Sequence, residues 1–384
     1  MDRTEAVLKF SGAALFDLKY DCDLSDTDYA ELLSVAEKNS IVGIISSGIH
    51  KCGVRANQEA LSAFDRKSEK EIYQYLMQKN ELPVICAALE KARIPHMVLK
   101  GSIMRRYYPE EYLRTSCDID ILVQSDEETK LNVMQSIGYS YDKDGGVTMN
   151  FKKSNVLAVE LHKNLFDERT EYNDYFDKIW DRVLPVDGKE YEYRMTEEDF
   201  YAYMIAHFAK HFSRYGSGIR NAFDIYIYNR FAPKEFDRLK AERILNDIGL
   251  LKFEKSILHL AQTWFDGVTP TQDDRKVTDY ILGSGIYGNT KIQNAIKLKN
   301  SGNMTRHKLA RNFHFVIPEY RVMKNQFPVL KKAPVLLPAC WVARWMRIFT
   351  PKRKKAINSL NLYNSIDKDY TDYVSYIFEQ IGLK

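Results

Sequence analysis

The sequence predicts an α+β fold, a small mixed β-sheet flanked by N-terminal and C-terminal helical regions. Three observations predict it. Up to about residue 93 apolar residues recur at helical spacing, from His96 to about His162 strand-like and helix-like patterns alternate, and from Thr196 the helical period returns. These changes divide the chain into a helical region over 1–93, a sheet-containing core over 94–192, a helical domain over 193–300 and a C-terminal helical region over 301–384. A chain of 384 residues exceeds what one hydrophobic core usually serves, in keeping with several structural units.

In the first region Ser25 or Thr27 offers an N-cap, and Tyr29, Leu32, Leu33 and Ala36 then line one helix face. A further helical stretch runs from about Ser68 to Ala92 with Ile72, Leu76, Ile85 and Leu89 apolar. Pro83 is expected to break it in two, because proline removes a helix N–H and clashes with the preceding turn. His96 to Leu99 reads as a short strand, after which Gly101 supplies the backbone freedom for a sharp turn into a helix. Ser102 sits at the start of that helix, where its hydroxyl and the free backbone N–H groups make an anion site suited to a triphosphate.

Asp118-Ile119-Asp120-Ile121-Leu122-Val123 is a strand that places Asp118 and Asp120 on one face while Ile119, Ile121 and Val123 point into the fold. By the same alternation Cys117 is expected to point away from Asp118. Gly145-Gly146 marks a hairpin turn before a strand from Val147 to Phe151, and Val156 to His162 forms another, with Glu160 as its one acid. Thr196 and Asp199 make a capping pair for a helix that carries Phe200, Tyr203, Met204, His207, Phe208 and His211 along one face. A second helix covers Ile219 to Tyr228. Gly283-Ser284-Gly285-Ile286-Tyr287-Gly288 matches G-x-G-x-x-G but lacks a βαβ setting, so it reads as a loop.

The acid pair carries the chemistry. Neighbouring carboxylates repel, and one tends to keep a proton unless a cation compensates. Magnesium is the natural cation, since it takes oxygen ligands and usually one or two protein carboxylates beside substrate phosphates. If the Glu160 strand lies next to the Asp118 strand, Glu160 completes a three-carboxylate metal cluster; otherwise it is a solvated edge position. Lys100 and Arg114 flank the turn and the acids, which favours phosphate contact over plain surface charge. His207 and His211 stand four apart, but a zinc site needs a third ligand that the sequence does not offer. One of them is therefore expected to meet a phosphate or an acid while the other packs. Arg220 and Asp224 are also four apart, which alone gives a surface ion pair worth about 0.3–0.5 kcal/mol.

The segment Ile94-Pro95-His96-Met97-Val98-Leu99-Lys100-Gly101, then Tyr108-Pro109, Arg114, Asp118-Ile119-Asp120-Ile121-Leu122-Val123, Val159-Glu160-Leu161-His162 and His207-Phe208-Ala209-Lys210-His211, resembles a bacterial group of nucleotidyltransferases in the DNA polymerase β superfamily. Asp28-Tyr29-Ala30-Glu31-Leu32-Leu33 shares the likeness more weakly. The resemblance implies a nucleotidyltransferase core at 94–192, with Asp118, Asp120 and Glu160 as catalytic residues holding two Mg2+ ions. It implies nucleotide contacts from Lys100, Gly101, Ser102, Arg114, His207, His211, Arg220 and Asp224, the last four from a helical unit that closes over the nucleotide. The expected reaction moves a nucleoside monophosphate from a nucleoside triphosphate to an acceptor hydroxyl. Two alternatives stay open: a catalytically inactive nucleotide-binding or scaffold protein linked to surface polysaccharide assembly, and a toxin-neutralising nucleotidyltransferase.

Composition narrows the partners. A net charge of +4 gives no broad nucleic-acid surface. Five scattered cysteines, Cys22, Cys52, Cys86, Cys117 and Cys340, have no C-x-x-C spacing and point to a reducing, cytoplasmic location. No signal peptide and no membrane-spanning run are expected. Residues 334–355 combine an apolar, aromatic run containing Trp341 and Trp345 with Lys352-Arg353-Lys354-Lys355, a pattern that suits either peripheral contact with an anionic membrane or a packed terminal segment. The acceptor is not written in the sequence.

Overall fold

The apolar alternation at His96–Leu99, Ile119–Val123 and Ala158–His162 becomes the centre of a mixed sheet that has seven strands among the described residues. The computed structural model describes residues 2–21, 26–54, 58–346 and 351–383, with the side chains of 26–27 and 351–356 excepted. The caps expected at Ser25 or Thr27, Cys22, and the basic run Lys352–Lys355 lie outside the described residues or side chains.

Helices α1 (Arg3–Phe16), α2 (Asp26–Asn39), α3 (Val42–Cys52) and α4 (Gln58–Lys91) precede the sheet. Then come β1 (His96–Val98), the short α5 (Gly101–Met104), β2 (Ile119–Val123), α6 (Glu127–Ser136), β3 (Ser140–Asp144), β4 (Thr148–Lys152), β5 (Ala158–His162), α7 (Asn173–Asp177), β6 (Leu184–Pro185) and β7 (Glu192–Arg194). The strand order is β3-β4-β5-β2-β1-β7-β6. The β3–β4 hairpin turns where expected, with Gly146 at a φ of +85° and the Gly145 N–H bonded to the Thr148 carbonyl at 2.8 Å.

The two faces of the sheet enter different cores. Ile119, Ile121 and Val123 of β2 meet Met149, Phe151, Val159 and Leu161 beneath Ile85 and Leu89 of α4 and Met134 of α6. The opposite face, with Met97, Leu99 and Leu122, joins a larger core built with the following helices. These are α8 (Glu197–Tyr215), α9 (Ile219–Phe231), α10 (Arg238–Asp247), α11 (Leu251–Phe265), α12 (Gln272–Ser284) and α13 (Thr290–Lys299). Thr196 caps α8 as expected, its hydroxyl accepting from the Asp199 N–H at 3.1 Å.

Two local expectations are corrected. Pro83 does not split α4, which runs unbroken through it for 34 residues. Phe64 at one end lies in the large core and Ile85 and Leu89 at the other in the smaller one, so burial at both ends offsets the one hydrogen bond that Pro83, itself exposed, removes. Ahead of Pro83 the buried residues are Phe64, Ser68, Tyr75 and Gln78, while Leu76 faces solvent.

Helices α14 (Met304–Val316), α15 (Tyr320–Gln326), α16 (Leu337–Met346), α17 (Pro351–Asn364) and α18 (Lys368–Ile381) complete the chain. Trp341 packs on a small cluster of Met323, Leu330 and Cys340 and donates to the Pro318 carbonyl, so part of the aromatic run is internal packing. Among the described residues no helix is long and apolar enough to cross a membrane.

Candidate active site

Strand β2 runs parallel to β5 in a register that sets Asp120 opposite Glu160. The register that the sequence leaves open is therefore the one that brings the acids together. Asp118 lies one residue before β2, at the same end. His162 follows Glu160 by two positions, so it projects from the same face. The ligand atoms of Asp120, Glu160 and His162 all lie within 4.8 Å of one another.

Asp120 is buried, and its Oδ1 accepts from Lys100 Nζ at 2.7 Å and from His162 Nε2 at 2.7 Å. A carboxylate only accepts, so the His162 proton sits on Nε2; its Nδ1 is buried without a hydrogen-bond partner. Lys100 adopts a φ of +44°, uncommon for a residue with a Cβ. That backbone turn ends β1 and swings the ammonium onto Asp120.

These groups open into a cleft of about 260 Å³. Lys100, Gly101, Arg114, Asp118, Asp120, Glu160, His207, His211, Arg220 and Asp224 all line it. Thus three regions distant in sequence converge on one cavity. Gly101 is required for space: a Cβ there would stand 2.9 Å from Arg114 Nη1 and 3.2 Å from Ser116 Oγ. Ser102 does not line the cleft; it is buried behind the turn. A larger surface cavity of about 530 Å³, between α11, α12 and α18, has Lys252, Lys255, His259, Asp273 and Asp274 on its rim but no buried cluster of acids.

A model of the family described as uncharacterised nucleotidyltransferase matches residues 25–266, more than half of the chain. The chain belongs to this family. The protein is thus an enzyme of the nucleotidyltransferase class, and the matched span holds all ten expected residues that line the cleft. No curated protein and no solved structure matches it.

In the nucleotidyltransferase two expected nucleotide contacts are engaged with each other. Arg114 is buried, with Nε at 3.0 Å from Asp224 Oδ1 and Nη2 at 2.7 Å from Oδ2, while Nη1 donates to the Thr115 carbonyl at 2.7 Å. Tyr108 donates to the same Asp224 Oδ1 at 2.8 Å. The surface ion pair that spacing alone would give Arg220 and Asp224 does not form, because Asp224 turns toward Arg114. Arg220 Nη1 instead donates to the Thr115 carbonyl and hydroxyl at 3.0 and 2.9 Å. This arrangement pins α9 to the loop that delivers Asp118.

Burial and the charge of Asp120 push the Asp118 carboxyl up to about 7. Burial would raise Asp120 too, but Lys100 and His162 hold it well below the usual carboxylate range. Lys100 shows the converse: burial works against its charge, and Asp120 more than offsets it, so the ammonium is retained. Burial, then the Lys100 charge, lowers His162, His207 and His211, the last to about 4. All three imidazoles are neutral at pH 7. His207 and His211 touch through their Nε2 atoms at 3.1 Å, so one donates and the other accepts.

His162 belongs to the Val159–His162 segment that carries the resemblance but has no role assigned from sequence, although strand alternation after Glu160 signals its direction. Cys117 is exposed and lines the cleft, contrary to expectation, because β2 starts only at Ile119 and strand alternation does not reach it. Its thiol meets the hydroxyl of Tyr287. Ile286 and Tyr287 come from the glycine-rich loop after α12 and close one side of the cleft. No local signal links them to the acids; the loop is placed by the bond from the Ile286 N–H to the Lys38 carbonyl at 2.9 Å.

Proposed function

We propose that this nucleotidyltransferase uses Mg2+ to move a nucleoside monophosphate from a nucleoside triphosphate to an acceptor hydroxyl, in a site of the DNA polymerase β superfamily type. The observation that carries the reading is the parallel β2–β5 register, which sets Asp120 beside Glu160 with Asp118 at the same strand end. The donor set fits magnesium: three carboxylates at one cleft, one of them holding a proton up to about pH 7 because it is buried beside the charge of Asp120. Asp118, Asp120 and Glu160 would hold the ions, and Asp120 Oδ2 is the oxygen left by the Lys100 and His162 bonds to Oδ1. Bound magnesium would stabilise charge developing on the transferred phosphoryl group and favour ionisation of the acceptor hydroxyl.

The chain's own groups do the rest. His162 fixes the Asp120 carboxylate by its Nε2 proton, and Lys100 neutralises that carboxylate before cation and nucleotide arrive. With a cation on Asp120, Lys100 would offer its charge to the phosphates, and Gly101, lacking a Cβ, would let backbone approach them. The neutral His207–His211 pair supplies a donor without adding charge, and Arg220 supplies positive charge to the same cleft.

The test is transfer itself. With Mg2+, each α-labelled triphosphate and fractions of a hydroxyl-rich metabolite extract, one fraction is expected to take up label as pyrophosphate appears. Triphosphate binding by calorimetry with no pyrophosphate release in any fraction would overturn the proposal.

Asp118 gives a separate prediction for the metal-free protein. Its folded pKa lies above the ordinary value of 3.8, so between pH 4 and 7 the folded state binds a proton that the unfolded state does not. Stability therefore falls as pH rises through that window. Asp118→Asn removes the term and is expected to stabilise the protein at pH 8 by on the order of 2 kcal/mol, with little effect near pH 4. Urea midpoints measured in EDTA at both pH values check this; a variant less stable than wild type at pH 8 contradicts it.

A further inference from the structure

A second group of metal-capable side chains lies at the other end of the central strands. Cys86 of α4, His96 of β1 and Glu192 of β7 bring one ligand atom each within 4.8 Å of one another. The parallel β1–β7 register places His96 opposite Glu192, and Cys86 descends on the pair from the helix above. His96 pairs with Val123 at the far end of β2, three residues from Asp120 and so roughly 10 Å along the strand from the acids. The two clusters are therefore separate.

His96 is the observation that points to a ligand. It is fully buried, and its Nδ1 lies 2.9 Å from the Ile94 carbonyl. A carbonyl only accepts, so Nδ1 carries the proton and Nε2 presents a lone pair. That Nε2 has no hydrogen-bond partner and stands 4.0 Å from Glu192 Oε2, too far for a hydrogen bond. An imidazole whose outer N–H is tied to a backbone carbonyl while its inner nitrogen faces a thiol and a carboxylate has the outer-shell arrangement of metal-bound histidine.

We infer that Cys86, His96 and Glu192 form a zinc-class transition-metal site that staples α4 to β1 and β7. Sulfur, nitrogen and oxygen donors together suit a tetrahedral zinc-type ion, with water as fourth ligand. Tetrahedral coordination needs donors roughly 3.4–3.6 Å apart, so the His96 and Glu192 donors, 4.0 Å apart, close by about half an ångström on loading. Burial and the neighbouring Glu192 push the free Cys86 thiol up to about 12, so it enters protonated; binding forms the metal–sulfur bond and releases that proton to solvent. The link bears on the cleft, because β7 leads directly to the Thr196 cap and thus into α8, which carries His207 and His211 there.

Cobalt is the probe, since a thiolate ligand gives Co2+ a charge-transfer absorption that carboxylate and imidazole ligands lack. The protein, purified without metal and titrated with Co2+, is expected to develop this band, and the rise in melting temperature that Co2+ or Zn2+ gives is expected to be smaller in Cys86→Ser than in wild type. The band should persist in Cys117→Ser, which alters the cysteine at the cleft, disappear in Cys86→Ser, and require more cobalt in Glu192→Gln. Absence of the band in wild type, or its survival in Cys86→Ser, overturns the inference. Circular dichroism matching wild type establishes that each variant is folded.

Discussion

Replacing Asp120 by Asn is expected to lower nucleotidyl transfer at least ~10³-fold, the scale set by several kcal/mol of lost metal-assisted stabilisation. The amide keeps the shape of the carboxylate and can still accept a bond from Lys100 or His162, so the strand packing around Ile119 and Ile121 is untouched. What it lacks is charge, which both neutralises Lys100 and would hold the cation. His162→Asn separates the two roles of this corner. His162 acts through Asp120 as a positioning residue, and loss of such an outer partner costs about 10–100-fold in metal affinity or activity. Its defect should shrink as Mg2+ is raised, whereas that of Asp120→Asn should not. Steady-state transfer across a Mg2+ series measures both, with circular dichroism to confirm the fold. Wild-type turnover in Asp120→Asn would remove the site assignment.

How much of this site a sequence discloses depends on whether a residue's direction is fixed locally. Asp120 and Glu160 were legible because strand alternation gives each a face, and Ile119, Ile121 and Val123 confirm it by filling the opposite core. The turn at Lys100-Gly101 and the capped start of α8 were legible for the same reason, since glycine and a Thr–Asp pair act within a few residues. What stayed hidden was long-range. The β2–β5 register depends on a hairpin folding between the two strands, and Tyr287 reaches Cys117 across 170 positions. Pro83 misled because helix propensity is a local quantity, while α4 is held at both ends by two different cores. The Arg114–Asp224 pair is hidden in the same way, since the partners lie 110 positions apart and a guanidinium near acids gives no sign of which anion it will meet.

That pair yields the largest expected effect on stability. Arg114 and Asp224 are both almost fully buried, and their forked contact at 2.7 and 3.0 Å is joined by the Tyr108 hydroxyl. Arg114→Met leaves the Asp224 carboxylate buried with Tyr108 as its remaining hydrogen-bond donor and only the charge of Arg220 nearby, and breaking a buried pair from one side costs about 3–5 kcal/mol. The expected fall in melting temperature is on the order of 5–10 °C. Removing both charges, as in Arg114→Met with Asp224→Leu, should recover much of the loss, because the desolvation penalty disappears with the second charge. A phosphate-binding Arg114 would behave otherwise: the single variant would raise the KM for the triphosphate with little change in melting, and the second substitution would restore nothing. Paired melting and kinetic measurements on the two variants decide between these outcomes. Under the pinning role, activity lost in Arg114→Met returns in part with the fold of the double variant, since the side chain acts by holding α9 against the loop that carries Asp118 rather than by touching the nucleotide.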